Sequence, residues 1–114
     1  MEVEWKWVRL EEEAKTQPDL TELLPLIVAA RPRKELQQLF PFTSVGRLCL
    51  SRCTVYPYSG DCPRAVPMTE GEYEVFDASG KVVGRGDAER AVQLLIDHLP
   101  PNCGPAIKGT ADDL

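Results

Sequence analysis

Phe40-Pro41-Phe42-Thr43-Ser44-Val45-Gly46-Arg47-Leu48-Cys49-Leu50-Ser51-Arg52-Cys53-Thr54-Val55-Tyr56-Pro57-Tyr58 is the stretch in which the hydrophobic period of this chain changes. Before it, apolar residues recur every three or four positions; within it they alternate. Leu48, Leu50 and Tyr56 alternate against Val45, Cys49, Cys53 and Val55, so a strand over 45–56 carries apolar residues on both faces and belongs inside a sheet. The same run keeps Thr43, Ser44, Arg47, Ser51, Arg52 and two tyrosines, more polar chemistry than a core-filling strand requires. It reads as half core and half working surface.

Upstream, Val3, Trp7, Leu10 and Ala14 form one apolar side of a helix whose far side carries Glu11, Glu12 and Glu13. Gln17-Pro18-Asp19 breaks that pattern, and Asp19 with Glu22 three residues later resembles a helix cap. The second helix buries Leu20, Leu23, Leu24, Ile27 and Val28, with Pro25 kinking or restarting it because proline removes an interior donor. Arg31-Pro32 punctuates the chain, and Leu36, Leu39 and Phe40 predict a short third helix.

Downstream, Pro57 to Pro63 reverses the chain, and Ala65 to Met68 reads as an edge strand bounded by prolines. Glu72 to Phe76 and Lys81 to Gly84 form a hairpin through Asp77-Ala78-Ser79-Gly80, with Gly80 in the left-handed conformation. Asp87 caps a last helix lined by Ala88, Ala91, Val92, Leu95 and Leu99, which Pro100-Pro101 ends. His98 falls at its C-terminus, and the tail from Asn102 to Leu114 reads as irregular. N-terminal helices, an antiparallel sheet of about four strands and one C-terminal packing helix make an α+β fold, with residues 1–114 as a single domain.

The composition, 43% hydrophobic and 27% charged over 114 residues, suits one domain burying roughly two thirds of its unfolded surface. A net charge of −5 opposes a nucleic-acid groove, which needs a basic stripe to replace phosphate counterions, and favours a cationic peptide or amine as partner. No apolar run approaches the roughly 18 residues of a membrane span, and the Glu-rich first fifteen residues are unlike a signal peptide, so the expectation is a cytoplasmic chain. A sheet covered by helices on one side leaves a second face, and a homodimer burying that face or the Trp5/Trp7 helix is expected.

On a strand, Cys49 and Cys53 share a face about 13 Å apart at a rise of ~3.3 Å per residue, too far to bond. There is no Cys-x-x-Cys and His98 is the only histidine, so reduced packing thiols are expected and no metal. The same histidine is the only imidazole base for a nucleophile, and no Gly-x-Ser-x-Gly occurs. Glycines 80, 84 and 86 belong to the hairpin and do not open a phosphate-binding helix. What remains is a constellation of Arg47, Arg52, Tyr56, Tyr58, Glu70, Glu72, Tyr73 and Glu74. Arginine there holds a carboxylate or polarises a carbonyl, tyrosine or serine donates to a developing oxyanion, and glutamate orients or deprotonates an amine. The competing reading is a solvated sheet face with surface ion pairs.

Leu24-Pro25-Leu26-Ile27 with Ala29-Ala30, Leu39-Phe40-Pro41-Phe42-Thr43-Ser44, Leu50-Ser51-Arg52-Cys53-Thr54, and Gly104-Pro105-Ala106 with Gly109-Thr110 resemble small actinobacterial natural-product biosynthesis proteins. Within that group the chain is similar to the lysinoalanine-forming proteins of cinnamycin and duramycin (lanthipeptide, or lantibiotic) biosynthesis. Val45-Gly46 stands where many members carry a histidine after Thr-Ser. The resemblance implies a cofactor-free enzyme that adds a lysine amine to a dehydroalanine of a modified precursor peptide. Joined to the polar content of the 43–58 run, it points to Arg52, Glu72 and Tyr73 as catalytic residues and to Phe42, Thr43, Ser51 and Tyr56 as peptide-binding ones. The alternative is a non-catalytic module binding a peptide or a biosynthetic partner.

Overall fold

Two residues, Val45 and Gly46, turn the chain that periodicity reads as one strand. Both have positive φ, 51° and 74°, the pairing that a tight two-residue hairpin turn requires. The expected 45–56 strand is therefore a hairpin arm: β1 (Phe40–Ser44) pairs antiparallel with β2 (Arg47–Ser51), Phe42 facing Cys49 and Thr43 facing Leu48. Cys53 lies beyond the end of β2, so it does not share a strand face with Cys49. The alternation of small and apolar residues hides this turn, because valine is a poor indicator of positive φ.

The computed structural model describes residues 2–101 and 103–114, and Asn102, at the start of the expected irregular tail, lies outside the described residues. The fold is α+β, and the sheet has five strands where about four were expected. β3 (Arg64–Pro67), β4 (Tyr73–Phe76) and β5 (Val82–Gly86) continue an antiparallel meander in chain order, β1-β2-β3-β4-β5. β3 is thus interior, not an edge; its Pro67 sits at the strand's last position, where a missing N–H costs the ladder little. Glu70 and Gly71 turn β3 into β4 with positive φ values of 58° and 76°, a pair like that at Val45 and Gly46. Gly80 is left-handed as expected, and Asp77 closes its turn by accepting from the Ser79 and Lys81 amides, each at 3.0 Å, and from the Ser79 hydroxyl.

One face of the sheet is covered. Leu48, Leu50, Ala65, Tyr73 and Val75 point into a core shared with Trp7, Leu10 and Ala14 of α1 (Glu2–Thr16) and with Ala91, Val92, Leu94 and Leu95 of α4 (Ala88–Asp97). Trp7 is an internal anchor, its indole donating to the Leu39 carbonyl at 3.0 Å. The second predicted helix divides: residues 18–23 form a 3-10 turn, and α2 (Leu24–Ala30) restarts with Pro25 in its first turn, where a missing N–H is harmless. No side chain caps the 3-10 turn, so Asp19 does not play the expected role. Val28, placed in the buried stripe by its spacing, is exposed. α3 (Lys34–Gln37) is a single turn, and of the residues expected in it Leu39 lies beyond its end and Phe40 begins β1, paired with Ser51.

Asp87 caps α4, accepting from the Arg90 amide at 2.9 Å, and His98 is its C-cap. The tail is more ordered than expected. Ile107 forms a parallel bridge with Cys53, Thr54 and Val55 donate to the Ile107 and Gly109 carbonyls, and Thr110 with Asp113 closes a capping box. The radius of gyration, 12.9 Å, matches the ~13 Å of a single packed domain of this length. Among the described residues no helix is long and apolar enough to cross a membrane.

Candidate functional site

The seven residues singled out in sequence fall into four places. Arg52 and Ser51 stand at the end of β2. Ser51 is fully buried, and its hydroxyl accepts from the amides of Cys53 and Ser59, both at 3.1 Å. It is the hub that folds the 52–62 loop back over the sheet. The Arg52 guanidinium donates to Asp61 at 2.7 Å, its backbone amide donates to the Ser59 hydroxyl at 3.0 Å, and its carbonyl accepts from Ile107. Burial alone raises the Asp61 carboxyl, but hydrogen bonds from Arg52 and Ser59, with the Arg52 charge, bring it below the ordinary aspartate value. Both side chains are committed to holding the loop.

Glu72 and Tyr73 lie at the other end of the sheet, because the antiparallel register places the β3–β4 turn beside the start of β2. Tyr73 is buried, and its hydroxyl donates to the Glu22 carbonyl at 2.6 Å. Burial is also the main cause that pushes its phenol upward, away from an ionised role near neutrality. Glu72 is exposed and rims a cleft of about 420 Å³ with Glu22, Glu70 and Met68. The structure therefore does not bring Arg52, Glu72 and Tyr73 together as one catalytic group.

Of the expected peptide-binding residues, Phe42 and Tyr56 belong to an aromatic cluster on the uncovered sheet face. Phe42 stacks on Tyr58 with centroids 4.3 Å apart, and Tyr56, 77% exposed, meets Tyr58 edge-on at 5.7 Å. Thr43 follows Leu48 toward the helix side. Alternation along β1 separates Thr43 from Phe42, as strand geometry demands.

A larger concavity than the Glu72 cleft lies elsewhere. A groove of about 900 Å³ runs between α1, α2, α3 and the tail, with Val3, Trp7, Val28, Pro32, Pro105 and Ala106 along it. Glu4, Glu11, Arg31, Lys34, Gln37 and Gln38 supply its polar groups. Glu11 and Arg31 pair at 3.1 Å, and the Ala106 amide donates to the Gln38 carbonyl at 2.8 Å, which fixes the tail as one wall. Apolar walls with a few convergent charges are what a ligand cleft requires. Among the described residues its lining includes no Cys, Ser, Thr, Tyr or His, so what it offers is charge and shape. Sequence reading missed Glu4, Glu11 and Arg31 because the tail that completes the groove lies some seventy positions away from Arg31-Pro32.

The four cysteines are free thiols. Burial pushes Cys62 up to about 12, with the nearby Asp61 and Cys103 adding to it. Among the described residues no cluster of His, Cys, Asp and Glu could hold a metal ion. No curated protein and no solved structure matches the chain. Residues 1–110 match the model of a Family of unknown function (DUF6193), nearly the whole length, and the chain belongs to that family.

Proposed function

We propose that this chain binds a dehydrated, lysine-bearing precursor peptide in the groove between α1, α2 and the tail, and promotes lysinoalanine formation by positioning the reacting groups. The observation that carries this reading is convergence. One segment behind the resemblance to lysinoalanine-forming proteins, Gly104-Pro105-Ala106, lines the groove through Pro105 and Ala106, and it meets Val28 of α2, the residue that lies between the resemblance segments Leu24-Pro25-Leu26-Ile27 and Ala29-Ala30. Glu4 gives the groove a carboxylate for an ammonium, while Glu11, already paired with Arg31 and Lys15, holds the Arg31 guanidinium, whose other N–H groups are left for a peptide carboxylate or carbonyl.

The chemistry is redox-neutral and requires no cofactor. A lysine amine, with a pKa of about 10.4, gives up a proton and its lone pair forms the N–Cβ bond. The Cα=Cβ pair moves onto the amide carbonyl, and a proton returned to Cα restores the amide. Orientation supplies much of the rate, since effective molarities of about 10⁵ M or more are reached in well-aligned intramolecular reactions. A carboxylate of the peptide itself can take the proton. The expected homodimer then rests on Trp5 and Val8, which α1 leaves exposed beside the groove.

The test is incubation of dehydrated peptide with the protein, followed by thiol addition to count the dehydroalanine left. Ring closure conserves mass, so mass alone is silent. Glu11→Gln and Arg31→Ala are expected to slow closure and weaken peptide binding by about tenfold or more each. Peptide binding in the groove with no gain in closure rate would leave the non-catalytic binding module as the correct reading.

A further inference from the structure

The uncovered face of the sheet carries a second feature, remote from the groove in the helix layer. Residues alternate, so Phe42, Arg47, Cys49, Arg64, Glu74, Phe76 and Arg85 all leave the sheet on this side. Arg85 is neutralised by Glu74 at 3.2 Å. Arg47 and Arg64 make no ion pair among the described residues, although the protein has eighteen carboxylates against thirteen basic side chains.

Both arginines flank Cys49. Its thiol is raised by burial, with the two guanidinium charges only partly opposing that, so it stays neutral and offers them no counter-charge. The nearby Asp77 carboxylate is occupied by its own turn. Arg47 uses Nε on the Ser44 carbonyl at 3.2 Å, and its two terminal nitrogens make no hydrogen bond or ion pair among the described residues. The Arg64 guanidinium lies over the Phe76 ring, 5.5 Å from its centroid, and its buried Nε–H has no partner. A buried donor without an acceptor is costly, so Arg64 gains by turning toward an oxygen. The stacked Phe42 and Tyr58 bound the pair on one side and Phe76 on the other.

We infer that Arg47 and Arg64 form an anion-binding site on the uncovered sheet face, which takes an oxyanion carried on an aromatic or apolar body. Two guanidinium groups match the oxygens of a phosphate or a carboxylate, and the flanking rings receive the body.

Titration of the full chain with phenyl phosphate, benzoate and inorganic phosphate tests this, read by calorimetry and by the Nε–H resonance of Arg64. Phenyl phosphate or benzoate should shift that resonance and bind more tightly than inorganic phosphate, and the tighter of the two names the oxyanion. Arg47→Ala and Arg64→Gln should each weaken binding by about tenfold or more, whereas Arg85→Ala should change it by no more than about twofold. Arg47→Ala alone suffices should Arg64→Gln fail to fold, since Arg47 does not pack on Phe76. Absence of binding at millimolar ligand, equal affinity for inorganic phosphate, or an equal loss in Arg85→Ala would overturn the assignment.

Discussion

The Tyr73 hydroxyl and the Glu22 carbonyl, 51 positions apart, meet at 2.6 Å and tie the fourth strand to the 3-10 turn before α2. That bond occupies the one polar atom by which Tyr73 could act on a substrate. Tyr73→Phe is expected to lower stability by about 1–2 kcal/mol, since a partly buried carbonyl loses its donor, and to leave the proposed lysinoalanine closure unchanged in the folded fraction. Urea unfolding and the closure assay measured on one preparation separate these effects; a large rate loss at unchanged stability would return Tyr73 to the chemistry.

Val45 is 90% exposed with φ at 51°, a conformation that β-branched side chains adopt poorly. Val45→Asn should stabilise the β1–β2 hairpin by about 1 kcal/mol, because asparagine tolerates the left-handed region and Asn-Gly suits this turn. Thermal or urea melts check the sign, and a lower midpoint would mean that the valine is held by something other than the turn.

Gly84 faces α4 so closely that a Cβ there would lie 2.7 Å from one Leu94 methyl and 2.9 Å from the other. Gly84→Ala should destabilise by about 1–3 kcal/mol, the usual cost of forcing packed elements apart. Pairing it with Leu94→Ala should recover part of that loss, which a double-mutant cycle measures directly.

Asp61 and Asp77 both titrate below the ordinary aspartate range in the folded chain. For Asp61, burial is the largest single cause and raises the carboxyl, but the hydrogen bonds from Arg52 and Ser59, the Arg52 charge and a backbone hydrogen bond together outweigh it; for Asp77, the Ser79 hydroxyl and the Lys81 amide are the main causes. A depressed folded pKa contributes stability that is complete above the unfolded value of about 3.9 and is lost as pH falls through the folded one. The unfolding midpoint should therefore drop below about pH 4, and Asp61→Asn should flatten that limb. An unchanged acid limb in Asp61→Asn would show that the Arg52 contact adds nothing.

Cys62, raised to about 12, should resist alkylation in the native state, with on the order of one thiol in ten thousand ionised at about pH 8. Iodoacetamide labelling should become rapid only in urea, and reducing agents should leave the fold intact because all four cysteines are free. Native labelling at the rate of an unfolded thiol would contradict this.

Periodicity alone determined the order of elements: a helix through Trp7 and Leu10, a break at Pro18, a strand-forming middle, the Asp77–Gly80 hairpin and a helix capped by Asp87. These are local matters, since the spacing of apolar residues and the conformational limits of proline and glycine act within a few positions. Val45-Gly46 escaped that reading because a turn at a valine contradicts local preference and is imposed by the pairing of β1 with β2. The site depended on longer reach. Arg52, Ser51 and Tyr73 look like catalytic chemistry in a row of letters, but partners eight to fifty-one positions away consume their polar atoms. Glu11, Arg31 and Ala106 have no mutual signal in sequence, and they form one groove because the tail returns across Gln38 and the loop after β2. Hydrogen bonds between distant segments decide which polar groups are spent and which stay free, and that accounting exists only in the folded chain.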